Sequence, residues 1–363
     1  MEISIHGKGS SATNMTSTQT AIHEITIATG IPNCREGRLH PIGVITPEWM
    51  REVASSAEEL GFDSLWLNEF IDTEPTVRAS FPDPPRYYDP LVTIADLAAR
   101  TSRIRFLTAT LVLPEHSPLL LARQALTLSS LTGGRLSIGV GLGGPKEEFR
   151  RLHGELQAPN RGQMMEDYLA GLRQLWSGEA GDYQGTYARF DGVQVTPLPD
   201  TGDLPLLLAG AASGAMDRLV RYADGWIDSH HSPSEIAAIA SSLREAAKAA
   251  GRPVPIAVFR QFNMSLAASV ERAEALVAES LAGSTVSRGS SAGIDRRLIG
   301  TPESVGTRLR EYIAAGVEEV CAIFFGPTLP AVQQQMTLFT KEVLPMLREP
   351  LESVADLDGG SER

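Results

Sequence analysis

The segment RLSIGVGLGGPKEEF, Arg135–Phe149, decides how this chain is read. It places Gly139, Gly141 and Gly144 in the spacing G-x-G-x-x-G. As a dinucleotide fingerprint the pattern needs a strand before it, a helix opening at its third glycine, and an acidic residue about 20 positions further on at the end of the next strand. Arg135 to Val140 reads as a buried strand and meets the first condition. Gly144, however, runs into Pro145 and a charged stretch, and Glu166, at about the right distance, falls inside a helical pattern. The glycines therefore point away from a Rossmann unit, and the fold has to be found from what surrounds them.

One punctuation recurs around that segment: an amphipathic helical pattern, a glycine, then a short apolar run. It appears as SSAEELGFDSLWL, LSSLTGGRLSIGV, RLVRYADGWIDS and EYIAAGVEEVCAIFF. Helices should stop near Gly61, Gly133, Gly225 and Gly316, with a strand beginning a few residues later. The strands are apolar at nearly every position, the mark of parallel strands covered on both faces. Counted this way they lie near 25–30, 64–69, 104–111, 136–141, 205–209, 226–228, 256–264 and 319–325. Eight strands separated by helices predict an α/β fold, a closed (β/α)8 TIM barrel, with an open doubly wound sheet as the rival.

The connections are uneven. Helix-to-strand turns are short and strand-to-helix loops are long, so a site is expected at the carboxyl ends of the strands. Two insertions stand out: YQGTYARFDGVQVTP after strand four, read as a hairpin, and the Gly/Ser-rich residues 283–297 after strand seven, with Arg288, Arg296 and Arg297. The second reads either as a surface loop or as a lid.

Of 363 residues, 32 are Lys or Arg and 44 Asp or Glu, giving a formal net charge of -12 that would repel nucleic acid. Cys34 and Cys321 are remote in sequence and suggest neither a disulfide framework nor a metal cluster, consistent with a cytoplasmic protein. No apolar run is long enough for a membrane span. Residues 1–22 are Ser/Thr-rich and read as a flexible arm, residues 23–348 as the barrel, and the acidic residues 349–363 as a flexible tail.

Taken in order, AEELGFDSLWL, TSRIRFLTATLVLPEHSPLLLARQALTLSSLTGGRLSIGVGLGG, EEF, YADGW, GTPESV and AAGVEEV resemble the bacterial luciferase-like superfamily from about Ile25 to Arg348. The resemblance implies an oxidoreductase that binds reduced FMN or coenzyme F420 at the barrel mouth. A monooxygenase acting on a small organic substrate leads, with a separate flavin reductase as a possible partner and a homodimer as a possible assembly. Hydride transfer with F420, without oxygen, is the alternative; a flavin-binding protein without catalytic activity is the reading from another class.

The resemblance also assigns positions. A non-prolyl cis peptide would fall at Ala109–Thr110. Gly139, Gly141 and Gly143 would let backbone approach the ring. Gly210, Ala211, Ala212, Ser213 and Gly214 would hold the cofactor phosphate at a helix amino terminus.

Departures from the family pattern are equally specific. Where many relatives carry an acidic residue and then His after strand two, this chain has Asn68, Glu69 and Phe70, and Phe cannot move a proton. The Glu that F420-dependent sugar-phosphate dehydrogenases carry beyond the strand-four glycines is replaced by Gly144 or Pro145. Asn68, Glu69 and Arg260 are therefore the expected catalytic residues, with Phe70, His116 and His230 in the substrate pocket. A guanidinium in a buried strand needs an anionic partner, for which Glu69 or a ligand is expected. His230 and His231 lack convincing metal-ligand spacing, and no metal is expected.

Overall fold

Apolar runs that lack polar alternation form the eight strands of a parallel sheet. They are β1 (Thr26–Gly30), β2 (Ser64–Leu67), β3 (Arg105–Thr108), β4 (Leu136–Gly141), β5 (Leu206–Ala209), β6 (Gly225–Asp228), β7 (Ala257–Leu266) and β8 (Glu319–Phe324). Each pairs in parallel with the next. The sheet closes where β8 pairs with β7 on one side, from Phe259↔Glu319 to Met264↔Phe324, and with β1 on the other, from Thr26↔Glu319 to Thr29↔Ala322. The structure is a computed structural model that describes residues 25–73, 75–80, 83–144, 146–153, 160–198, 204–210, 213–282 and 295–350. The expected arm at 1–22, loop residues 283–294 and tail residues 351–363 lie outside these. The described start of the tail is held, since Arg310 donates to the carbonyls of Glu349 at 3.1 Å and Pro350 at 2.9 Å.

Strand alternation divides the core in two. Ala28, Trp66, Leu107, Ala109, Leu207, Ile227, Cys321 and Ile323 fill the lumen. Their sequence neighbours Ile27, Leu65, Phe106, Ile138, Leu206, Trp226, Val258 and Val320 face the surrounding helices. At roughly 25 cal/mol per Å2 of buried apolar surface, both layers contribute to holding the barrel closed.

Three of the four expected helix-stopping glycines take the left-handed backbone of that role, with φ +82° at Gly61, +65° at Gly133 and +106° at Gly316. Gly225 serves differently: a Cβ there would lie 2.7 Å from the Phe259 ring, so it makes room inside the barrel. The expected hairpin is present as Gly181–Gln184 antiparallel to Arg189–Val193. Strand three is shorter than expected. It breaks at the Ala109–Thr110 peptide, which is cis, and Leu111–Val112 then resumes pairing with Val140 and Gly141. Arg296 and Arg297 belong to a short 3-10 turn capped by Asp295 rather than to an open loop.

The first glycine of the opening segment is now accounted for. A Cβ on Gly139 would collide with the Thr108 carbonyl oxygen and approach Ile227 Cδ1 to 2.6 Å. Thr108 Oγ1 also accepts from Gly139 N at 2.9 Å and donates to Gly139 O at 2.9 Å, so the two strands cannot part. Gly139→Ala is expected to lower unfolding free energy by about 1 to 3 kcal/mol, the scale of overpacking a tight core. Denaturant titration checks this, with Gly171→Ala as the control, since a Cβ there would make only ordinary contacts, 3.6 Å from the Phe190 ring.

Candidate functional site at the carboxyl end of the barrel

The upper lumen has two unlike walls. On β3, β4 and β5 the residues facing inward are Ala109, Gly141 and Ala209, and a Cβ added to Gly141 would lie 2.9 Å from Thr110 Oγ1 and 3.7 Å from the Ala209 Cβ. That wall carries nothing longer than a methyl group at these positions. Beside it, Asn68 continues the inward face of β2, and from β7 Gln261 and Asn263 alternate with the outward-facing Phe262 and Met264. The Asn263 Oδ1 atom is buried without a hydrogen-bond partner, an acceptor that the chain itself leaves unused.

Asn68 is held from three sides. Asn33, fully buried after β1, donates to the Asn68 carbonyl at 2.7 Å and accepts from its N–H at 3.2 Å. The Asn68 amide donates to the Ala109 carbonyl, at the cis peptide, and its Oδ1 accepts from Arg35. Arg35 was not among the expected residues. It leaves β1 in a loop, where no periodic pattern points to it, and its guanidinium crosses the lumen to within 3.4 Å of Gln261 Oε1. Cys34 beside it is buried, and desolvation pushes its thiol up to about 12, so it stays protonated near neutral pH.

Of the three expected catalytic residues, Asn68 faces the lumen, while Glu69 and Arg260 do not. Glu69 is one residue out of phase with Asn68. It accepts from Val112 N at 2.6 Å and pairs with His116 Nε2 at 3.0 Å, latching the turn after β3. Arg260 likewise points outward, into the helical layer. It lies 4.9 Å from the Phe262 ring and 4.7 Å from that of Tyr312 and is ion-paired with buried Asp228, not with Glu69 or a ligand. His116, expected in the substrate pocket, is therefore engaged with Glu69 in the latch.

Phe70 lies against Tyr87, with ring centroids 5.5 Å apart and the Arg38 guanidinium 4.7 Å from its ring. His230 is exposed and stacks on His231 at 4.1 Å, beside Asp228 and Trp226 of the outer layer. Asp228, His230 and His231 converge closely enough to suggest a metal site. The Asp228 oxygens, however, already meet Arg260 and the His231 ring, the latter at 2.5 Å.

The glycine turns edge the bare wall. Gly143 takes φ +79° and Gly210 φ +104°, and a Cβ on Gly210 would meet only the Ala215 methyl, at 3.9 Å. The helix Ser213–Tyr222 begins just beyond. Ala211 and Ala212 lie outside the described residues, as does the Ser213 side chain. Two arginines that no sequence pattern singled out serve these turns. Arg161 donates to the carbonyls of Leu142 at 3.2 Å and Gly144 at 2.8 Å, and buried Arg218 reaches to 3.6 Å from the position of a Cβ on Gly214. Glu148 folds back onto Gly144, bringing a carboxylate to a place where the sequence suggested none. A cavity of about 510 Å3 opens at the opposite, amino-terminal end, lined by Ser64, Arg105, Phe259 and Glu319 among others. It contains none of these residues.

A sequence model described as luciferase-like monooxygenase matches residues 25–319, the span of the barrel just described. The chain belongs to the luciferase-like monooxygenase family. It is 35% identical over 185 residues to an uncharacterized protein of Mycobacterium tuberculosis, a match covering 48% of this chain and 65% of that protein. The chain thus spans about two thirds of the length of that relative. It is 27% identical over 338 residues to the FMNH2-dependent dimethylsulfone monooxygenase of Pseudomonas putida, covering 83% of this chain and 88% of that enzyme. Two solved structures share the fold. A monooxygenase of Streptomyces bottropensis superposes with a TM-score of 0.73 at 22% identity, covering 88% of this chain and 99% of that one. An F420-dependent secondary alcohol dehydrogenase superposes at 0.70 and 18% identity, covering 90% and 100%.

In this luciferase-like chain the Glu69–His116 latch should respond to pH. Burial works against the imidazolium, but the hydrogen bond and charge of Glu69 outweigh it and raise the His116 pKa above its ordinary 6.5. A raised folded-state value means that the pair's stabilisation is full below about pH 6.5 and fades as pH climbs through the higher folded value. His116→Gln should cost about 1 to 2 kcal/mol at pH 5.5, the scale of a charge-assisted hydrogen bond, and clearly less at pH 9. Paired melting curves across that range test it, and a gap that widened with pH would refute the latch.

Proposed function

We propose that this protein is a flavin-dependent oxidoreductase working at the carboxyl end of its barrel, a monooxygenase that uses reduced FMN and acts on a small organic substrate. The observation that carries the reading is the bare wall of Ala109, Gly141 and Ala209 set among the inward polar side chains of Asn68, Gln261 and Asn263. A flat heteroaromatic ring fits such a slot: one face needs no side chain in its way, and its edge needs donors and acceptors such as the unpartnered Asn263 oxygen. Family membership and the FMNH2-dependent relative support the choice of ligand.

When bound, reduced flavin would supply oxygen activation, and F420 would supply hydride. The chain's own work is to bind, orient and shield. The turn at Gly210 and the helix starting at Ser213 present N–H groups suited to a phosphate, with the Arg218 guanidinium close by. Asn33 and Arg35 fix Asn68 so that its amide does not swing. Phe70 and Tyr87 give the mouth an apolar, water-excluding side. A separate reductase would deliver the reduced flavin. Val92, Leu120 and Leu131, exposed on the helices Pro90–Ala98 and Pro118–Leu131, support a homodimer. The second reading, hydride transfer with F420, draws support from the Glu148 carboxylate returning to Gly144.

The phosphate turn is the most direct test. Gly210→Val should weaken binding because its φ of +104° disfavours a branched side chain, and Ser213→Asp because it sets a negative charge against the phosphate. Each should cost FMN and F420 at least about tenfold in Kd, or 1.4 kcal/mol, and riboflavin should bind the wild type less tightly than FMN. Fluorescence titration reads all three. Wild-type affinity of both variants for every phosphorylated cofactor would remove the site from the turn, and oxygen-dependent against oxygen-independent turnover separates the two chemistries.

A further inference from the structure

We propose that Arg35 is an anion receptor in the floor of the barrel mouth, and that the substrate taken there carries a delocalised oxyanion, a carboxylate or sulfonate, on a small organic frame. The inference deepens the reading of the mouth as a substrate site and rests on it. Arg35 is 7% exposed. The groups that meet its Nη2 are the Asn68 and Gln261 side-chain oxygens, both neutral, and its Nε donates to nothing. Among the described residues no carboxylate lies within ion-pairing distance of it.

The other buried arginines of the fold are different. Arg260 is paired with Asp228, Arg308 with Asp295 and Glu311, and Arg218 with Glu166 at 3.4 Å. A buried charge without a counter-charge is strongly unfavourable, and amide oxygens offset only part of the lost hydration. Burial accordingly pulls the Arg35 pKa down to about 10, with the nearby charge of Arg38 pushing the same way. The groups around it cannot become its counter-ion near neutral pH. Desolvation holds the Cys34 and Cys321 thiols protonated, and Glu69 is turned outward to His116. Asn68 and Gln261 are half-buried where they meet the lumen, so the guanidinium sits just beneath the accessible floor. Its unused donors match the two oxygens of a planar or tetrahedral oxyanion.

The test uses the full chain without cofactor, titrated calorimetrically with methanesulfonate and acetate, and with their neutral counterparts dimethyl sulfone and acetamide. Both anions should bind the wild type at least tenfold more tightly than the neutral pair and should compete with each other. Arg35→Gln should erase the preference, and Arg35→Lys should keep a weaker one, having the charge without the fork. Asn68→Asp, which gives Arg35 an internal carboxylate, should also suppress anion binding and serves if Arg35→Gln fails to fold. Equal or absent binding of anions and neutral counterparts by the wild type overturns the proposal, as does a preference that survives in Arg35→Gln or Asn68→Asp. Reduced FMN titrated anaerobically into the same proteins separates this failure from that of the cofactor reading, since absence of reduced-FMN binding by the wild type would sink the latter alone.

Discussion

In a closed parallel barrel each strand gives every second residue to the lumen and the rest to the helices, and this parity decides what chemistry the mouth can hold. Closure through β8 leaves no strand free to slip, because shifting one register would turn Trp66, Leu107 and Leu207 out of the lumen and bring Leu65, Phe106 and Leu206 into it. The tight approach of Thr108 to Gly139 pins that register on the side where the bare wall stands. Asn68, Ala109, Gly141, Ala209, Gln261 and Asn263 all face the lumen because of it.

Parity also explains why the architecture was legible in the sequence and the site less so. Apolar runs preceded by the helix-ending Gly61, Gly133 and Gly316 state the alternation of helix and strand directly, since burial on both faces and left-handed turns each leave a mark in composition. A polar residue near a strand end carries no mark of which face it takes. Glu69 and Arg260 each stand one residue from a lumen position, beside Asn68 and Gln261, and that single step sends one to a loop latch and the other to the helical layer. Extending the inward series Ser64, Trp66, Asn68 and Phe259, Gln261, Asn263 by twos would have made the distinction. Arg35, Arg161 and Glu148 were beyond such a rule. They reach the mouth from loops and helices, where only the folded path brings them near.

The outward polar pairs and the inward ones follow different energetic logic. Arg260 with Asp228, and Arg308 with Asp295, are neutralised within the chain and sit against Tyr312, where removing either partner of a pair would strand a charge in an apolar layer. They tie β6 and β7 to the helix Pro302–Ala314 and leave little capacity for a ligand. Asn33, Asn68 and Gln261 are neutral, hydrogen-bonded to one another's surroundings, and leave one guanidinium uncompensated among them.

That contrast narrows what the family's chemistry becomes in this member. The expected imidazole after β2 is replaced by Phe70, which packs on Tyr87 and offers a side chain that itself neither donates nor accepts protons. The His116 imidazole is engaged by Glu69 in the turn after β3. With thiols held protonated and no carboxylate lying against Arg35 among the described residues, the floor is built from amides and a fixed positive charge. Such a floor orients and fixes charge well but relays protons poorly, because amides do not titrate and a guanidinium releases its proton only at high pH. On the proposed reading, a reaction hosted there would be better served by binding and exclusion of water than by general acid–base transfer from β2, and Phe70 and Arg35 would then belong to one design: an apolar side to keep water out and a cationic floor to hold the substrate in.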